Sequence, residues 1–183
     1  MSRSYVAEND AARARLKAFV RGVSDGTMAR AIGHGWTVGA ALAHLAFWDR
    51  LWLAKFDEFE RTGAVRIPPV EGFVNGMNDG MRPWWLSIAP GEVRHEVVAA
   101  AEAVDGKAES LPDGLVEAIL SARPRTLVRA VHRRQHLDEI DRALAGSVDA
   151  QPHRKAPSDP YRPDLATGAR PGPKSYLSGS SWK

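Results

Sequence analysis

Two histidines one helical turn apart offer the clearest chemistry in this chain. His132 and His136, in His-Arg-Arg-Gln-His, stand four residues apart, so on an α-helix their β-carbons share a face at roughly 6 Å. Imidazoles so placed can close on one divalent cation. A third from a facing helix, His44, would make three protein ligands and leave one position open, the arrangement of a catalytic site and not of a closed structural one. If His44 does face the pair, the three ring nitrogens are expected to converge within about 4 Å of one another. His34 and His95 stand at or near expected helix starts and His153 lies among the last residues; all three are expected to be solvated.

The bland alternatives stay open at this stage. On a helical wheel Val128, His132, His136, Ile140, Ala143 and Leu144 form one strip, and His44 edges the arc of Ala41, Leu45, Trp48 and Leu51. A histidine on an apolar face is often a hydrogen-bonded core residue, but three aimed into one interior are costly unless a metal, water or carboxylates satisfy them. Arg133 occupies the place where His-Glu-x-x-His peptidases carry their glutamate base, so that chemistry is not expected. There is no nucleophile elbow, phosphate-binding glycine loop or dinucleotide fingerprint, and no catalytic residue is assigned. With no cysteine in the sequence, disulfides, thiolate ligands and a cysteine nucleophile are excluded. Trp36, Trp48, Trp52, Trp84 and Trp85 could line a pocket, although aromatics at helical spacing more often build core.

The elements that must position the histidines read as helices. One is expected over Ser4 to Ser24, stopped by Asp25-Gly26. A second follows Thr37 as N-cap and runs to Thr62, with Gly63 closing it in left-handed geometry. After Ile67-Pro68-Pro69, helices are expected over Phe73 to Trp85, from Pro90 toward Leu111, and over Leu115 to Ala122. The last long helix is expected from near Arg125, just after Pro124, to Gly146. No segment alternates with period two, so no sheet is expected. The class is all-α, a four-helix bundle over residues 1–146. Residues 147–183 hold half of the twelve prolines and almost no apolar periodicity, and are expected to be a flexible, disordered tail.

Charge and hydropathy narrow the partners. Residues 147–183 carry six Lys/Arg and three Asp/Glu, which accounts for the whole net charge of +3 and leaves 19 of each sign in residues 1–146. A body without basic excess lacks the footprint for phosphate-backbone binding, so no nucleic-acid partner is expected. No run of about 18 apolar residues exists and the N-terminus is charged, so the chain is read as cytoplasmic, with no membrane partner.

Two of these segments resemble a known family. Gly35-Trp36-Thr37-Val38-Gly39-Ala40-Ala41-Leu42-Ala43-His44-Leu45-Ala46-Phe47-Trp48-Asp49 is similar to the helix-two signature of the DinB/YfiT-like superfamily, and His132-Arg-Arg-Gln-His136-Leu-Asp-Glu-Ile140 to its last-helix motif. Residues 67–89, with Asn75 and Asn78, resemble its helix-three entry. The resemblance covers roughly residues 5–146. It implies an up-down-down-up four-helix bundle, often homodimeric, binding zinc, nickel or iron through His44, His132 and His136. It also implies a place among mycothiol-dependent maleylpyruvate isomerases, mycothiol or bacillithiol S-transferases, self-protection hydrolases and the iron domain of ergothioneine sulfoxide synthases; the last activity is not expected here, since these residues do not include that group's large second domain.

The expected function is a metal-dependent S-transferase joining a low-molecular-weight, mycothiol-like thiol cosubstrate to a small electrophile. A cation held by neutral imidazoles favours ionisation of a bound thiol. Trp48 and Trp52 are candidates to contact the substrate, and Arg133 (or Arg134) to steer a carboxylate. The alternatives are a hydrolase or resistance protein using metal-bound water, and a non-enzymatic helical binding protein.

Overall fold

The computed structural model describes residues 3–67 and 73–146, all helical apart from turns and one short ribbon. The expectation of a disordered 147–183 segment therefore lies outside the described residues, as does the Pro68-Pro69 break. The helices are α1 (Ser4–Gly22), α2 (Asp25–Met28), α3 (Val38–Thr62), α4 (Phe73–Ser87), α5 (Pro90–Ser110), α6 (Asp113–Ala122) and α7 (Ala130–Leu144). The long ones close a ring, with α3 against α5, α5 against α1, α1 against α7 and α7 against α3, while α4 lies on the outside of α3. This is a four-helix bundle, and it makes the two histidine-bearing helices neighbours.

Helix α3 forms where local chemistry says it should. Thr37 is extended, and its hydroxyl accepts a hydrogen bond from the Ala40 amide at 3.1 Å, satisfying one of the free first-turn donors. At the other end Gly63 has φ 67° and ψ 4°, a left-handed geometry that costs glycine nothing, and its N–H donates to the Phe59 carbonyl. The apolar arc runs from Val38 through Leu42, Leu45, Trp52 and Phe56 to Phe59, all buried. Small residues at Ala41, Ala100 and Ala101, also buried, let α3 and α5 approach closely. Each fully buried Leu or Phe here contributes on the order of 1.5–3 kcal/mol of transfer free energy.

Helix α7 starts later than its sequence pattern predicts, at Ala130 and not near Arg125. The cause is a residue far away in the chain. Asn9 of α1, 2% exposed, accepts from the Ala130 amide through Oδ1 and donates through Nδ2 to the Leu127 carbonyl, both at 2.9 Å. A side chain from α1 thus occupies groups that a helix continuing upstream would pair internally. The same two bonds fix the first turn of α7, and with it His132, against α1.

The expectation of no sheet needs one amendment. Ala31–Gly33 and Trp36–Thr37 pair as an antiparallel ribbon. Three residues against two are too short to print an alternating pattern. Its turn, Gly33-His34-Gly35, has positive φ throughout, which is why two glycines stand there. The ribbon delivers Trp36 to the start of α3. Between α1 and the ribbon, Ser24 accepts from the Thr27 amide and caps α2, so the residue expected to end the first helix instead begins the next.

Candidate metal centre

The wheel positions of the three histidines become one cluster. His44 projects from α3, and His132 and His136 from α7; their exposures are 4%, 4% and 9%. Ring centroids are 5.0 Å apart for His44 and His132, 4.9 Å for His44 and His136, and 4.8 Å for His132 and His136. One nitrogen from each ring lies within 4.8 Å of the other two, a somewhat looser set than the expected 4 Å. The closest approach is His44 Nε2 to His132 Nε2 at 3.1 Å. Nitrogens about 2.0–2.1 Å from a tetrahedral ion stand about 3.4 Å from one another. The observed separations bracket that value, so small side-chain rotations would close the set.

Electrostatics favour the form that can ligate. Burial, reinforced by His136 and Arg129, pushes the protonation of His44 well below the ordinary imidazole range. The same is true of His132, through burial first and then through His136, His44, Arg129 and Arg133. Both rings are neutral at pH 7 and present lone pairs. In the absence of a cation the facing Nε2 atoms of His44 and His132 can satisfy each other only if one donates. His44 Nδ1 is buried without a hydrogen-bond partner in the structure. Three buried imidazoles with lone pairs aimed at one point are the donor set expected for a divalent ion of the zinc or nickel type, and they fit one.

A wall of aromatic rings surrounds His44. Trp85 and Trp36 stand edge-on to it at centroid distances of 5.0 and 5.4 Å, and Trp48 at 6.2 Å. Trp48 also donates from Nε1 to Asn78 Oδ1 on α4 at 3.1 Å, tying that outer helix to the site. Trp52, proposed from sequence to meet substrate, is 3% exposed and packs beside Phe56, with the Arg129 guanidinium 6.0 Å from its ring centroid. It lies one turn further along α3 than Trp48. Trp84 is 56% exposed and faces away from the core; Trp85, its neighbour, is the one turned inward. His34 and His95 are exposed, as expected, and His153 lies outside the described residues.

Arg133 does not point where the sequence reading put it. It is fully buried, with Nε and Nη2 on Asp49 Oδ2 at 3.0 and 2.8 Å and Nη1 and Nη2 on Asp105 at 2.7 and 2.9 Å. Burial works against its charge, but Asp49 and Asp105 outweigh it and hold the guanidinium firmly protonated. Arg129 Nε reaches the other Asp49 oxygen at 2.9 Å, and Arg13 of α1 joins through Asp105. Arg133 is therefore a cross-brace between α7, α3 and α5, and its role as a substrate contact is withdrawn. Arg134 is part-exposed and pairs with Glu8.

Sequence reasoning also passed over Glu139. Its Oε2 lies 2.9 Å from His136 Nδ1, and Gln135 Nε2 is 3.4 Å from its Oε1. Burial pushes the Glu139 carboxyl up, yet the hydrogen bond with His136 leads the opposing influences and leaves it below its ordinary value. The spacing His136-x-x-Glu139 was readable as an i,i+3 pair, but only the ring's orientation gives it meaning.

The match with known proteins agrees with this geometry. A family model described as the DinB superfamily covers residues 8–149, most of the chain and all three histidines. No curated protein and no solved structure matches the sequence.

Proposed function

Because the chain belongs to the DinB superfamily, we propose that it is a divalent-metal-dependent S-transferase, joining a low-molecular-weight thiol of the mycothiol type to a small electrophile. The observation that carries this reading is the buried trio His44, His132 and His136, imidazole donors converging from two adjacent helices. A cation bound there would supply positive charge that favours the thiolate over the thiol at neutral pH. The chain has no cysteine, so a sulfur nucleophile must come from a cosubstrate. In the transfer the thiol loses its proton to solvent or a base, sulfur forms the new bond to carbon, and the leaving group departs with its electron pair.

The protein's own residues would set the stage for that step. Trp36, Trp48 and Trp85 exclude water around His44 and give an apolar electrophile a surface to lie against. The ion pairs of Arg133 and Arg129 with Asp49 hold α7 in register with α3, which keeps the His132 nitrogen opposite that of His44. No helix of the described residues is long and apolar enough to cross a membrane, and a small-molecule substrate reached from water suits this reading. Phe73, Trp84 and Leu86 leave apolar surface exposed along α4, in keeping with a homodimer.

Two measurements on untagged protein test the proposal. Metal analysis after purification is expected to find about one zinc, nickel or iron per chain, and a His44→Ala variant to lose it. Turnover of an electrophile panel is expected only with added thiol. Metal-dependent turnover that ignores thiol would convert the reading to a hydrolase. A chain that binds no divalent ion at all would leave a helical binding protein.

A further inference from the structure

The three candidate ligands differ in what their second nitrogens meet. His44 Nδ1 is buried without a partner. His132 Nδ1 has the Arg129 guanidinium nearby, Nη2 at 3.5 Å, and a guanidinium can only donate. Among the described residues, of the three only His136 Nδ1 faces an acceptor, the Glu139 carboxylate at 2.9 Å. A carboxylate cannot donate at neutral pH, so this bond requires a proton on His136 Nδ1, and in the neutral ring Nε2 is then the nitrogen that carries the lone pair.

We propose that Glu139 is the positioning residue of the metal centre, fixing the ring orientation and tautomer of His136 so that Nε2 is the ligand atom. The inference rests on the metal-centre reading above and deepens it. The geometry is local: three residues along α7 bring the carboxylate over the imidazole, so the pair is set whenever α7 is helical. A carboxylate on the far nitrogen also raises the basicity of the ligating one and holds the ring against rotation. His44 and His132 are held instead by packing, the first among tryptophans and the second in the buried interior of α7. His136 is the most exposed of the three and carries the least such support, and it is the one that has a carboxylate behind it. Glu139 does not count among the grouped donors itself, which separates it from a fourth ligand.

The test is a zinc titration by chelator competition on the full chain, comparing the parent protein with Glu139→Ala and Glu139→Gln. Glu139→Ala is expected to bind zinc about 10–100-fold more weakly. Glu139→Gln, whose amide oxygen can accept the same hydrogen bond, is expected to recover most of that loss. Long-range proton–nitrogen NMR of the zinc form should show His136 protonated at Nδ1 and ligating through Nε2. The metal-free melting temperatures of all three proteins should agree within a few degrees, since the carboxylate is part-exposed. Equal zinc affinity in the parent and Glu139→Ala would overturn the inference while leaving the metal centre standing. A parallel fall of affinity and metal-free stability, unrepaired by Gln, would reassign Glu139 to a structural role. A parent protein that binds no zinc, nickel or iron would remove the metal reading and the inference together.

Discussion

His132 and Arg133 are adjacent in sequence, equally buried, and belong to opposite kinds of polar cluster. On the Arg133 side, charges from α1, α3, α5 and the start of α7 pair off: Asp49 takes Arg129 and Arg133, and Asp105 takes Arg133 and Arg13. Each of the four carboxylate oxygens there accepts from at least one guanidinium. On the His132 side, three imidazoles face one another across 3.1 to 4.8 Å, burial holds two of them (His44 and His132) against protonation, and His44 Nδ1 has no partner among the described residues. Both clusters are expensive to bury. The first recovers that cost within the chain, and the second is a set of donors that could recover it by holding a metal ion. The contrast separates a brace from a candidate metal centre in a single helix, one residue apart.

The largest effect is expected from breaking the brace. Arg133→Ala leaves two buried carboxylates short of their counter-charge, and about 3–5 kcal/mol of stability should be lost. Urea denaturation of the metal-free protein would measure it. Arg133→Lys should not restore it, because a lysine cannot span Asp49 and Asp105 with a planar fork. His132→Leu in the same assay should cost less than about 1 kcal/mol, since it removes a buried polar ring that lacks a full set of partners. Comparable losses in the two variants would erase the distinction drawn here.

The next effect comes from filling the histidine cluster. Zinc at about one hundred times its dissociation constant should stabilise the folded chain by about 2.7 kcal/mol, seen as a higher melting temperature than with excess chelator. His132→Leu should abolish that increment, whereas Arg133→Lys should keep most of whatever increment its remaining fold allows. Identical melting of the parent protein with zinc and with chelator would sink the assignment.

A smaller and graded effect belongs to pH. Burial lowers the protonation of His44 and His132 in the folded chain, so on acidification the unfolded chain takes up protons that the folded chain refuses. Metal-free stability is then complete above about pH 6.5 and declines as pH falls below it, by at most about 1.4 kcal/mol per pH unit for each histidine. The decline ends where the folded rings themselves protonate. Comparing denaturation at pH 7.5 and 5.5 in the parent and in a His44→Leu, His132→Leu double variant would isolate this contribution. A double variant with the same pH slope would show that other groups carry it.

How much of this was legible depended on how far apart the cooperating residues lie. Thr37 and Gly63 mark the ends of α3 by chemistry confined to four residues, and both appear where the sequence put them. The helical strip of His132 and His136 needed only the period of the helix. Its meeting with His44 needed α3 and α7 to be neighbours, which the sequence allowed without requiring. The start of α7 was misjudged because Asn9, more than a hundred residues upstream, caps it. Arg133 was misassigned for the same reason: nothing near it in sequence announces Asp49 and Asp105. A lone arginine beside a histidine looks like a substrate contact until the carboxylates from two other helices are in view.

The smallest effect tests where the histidine region ends. Thr37 caps α3 and closes the ribbon that carries Trp36 to His44, so it is the nearest local device to the site that is not part of it. Thr37→Ala removes an acceptor for the Ala40 amide, at an expected cost of about 1 kcal/mol, and Thr37→Ser should restore it. Zinc affinity should change less than about twofold. The physical reason is that His44 sits nearly two turns into α3, after Val38 and Leu42, both buried, and fraying of a first turn falls off within that turn. If zinc affinity instead drops tenfold with Thr37→Ala and returns with Ser, the cap and ribbon are holding Trp36 in place for the metal ligand. The line between scaffold and site would then run through Thr37 and not between His132 and Arg133 alone.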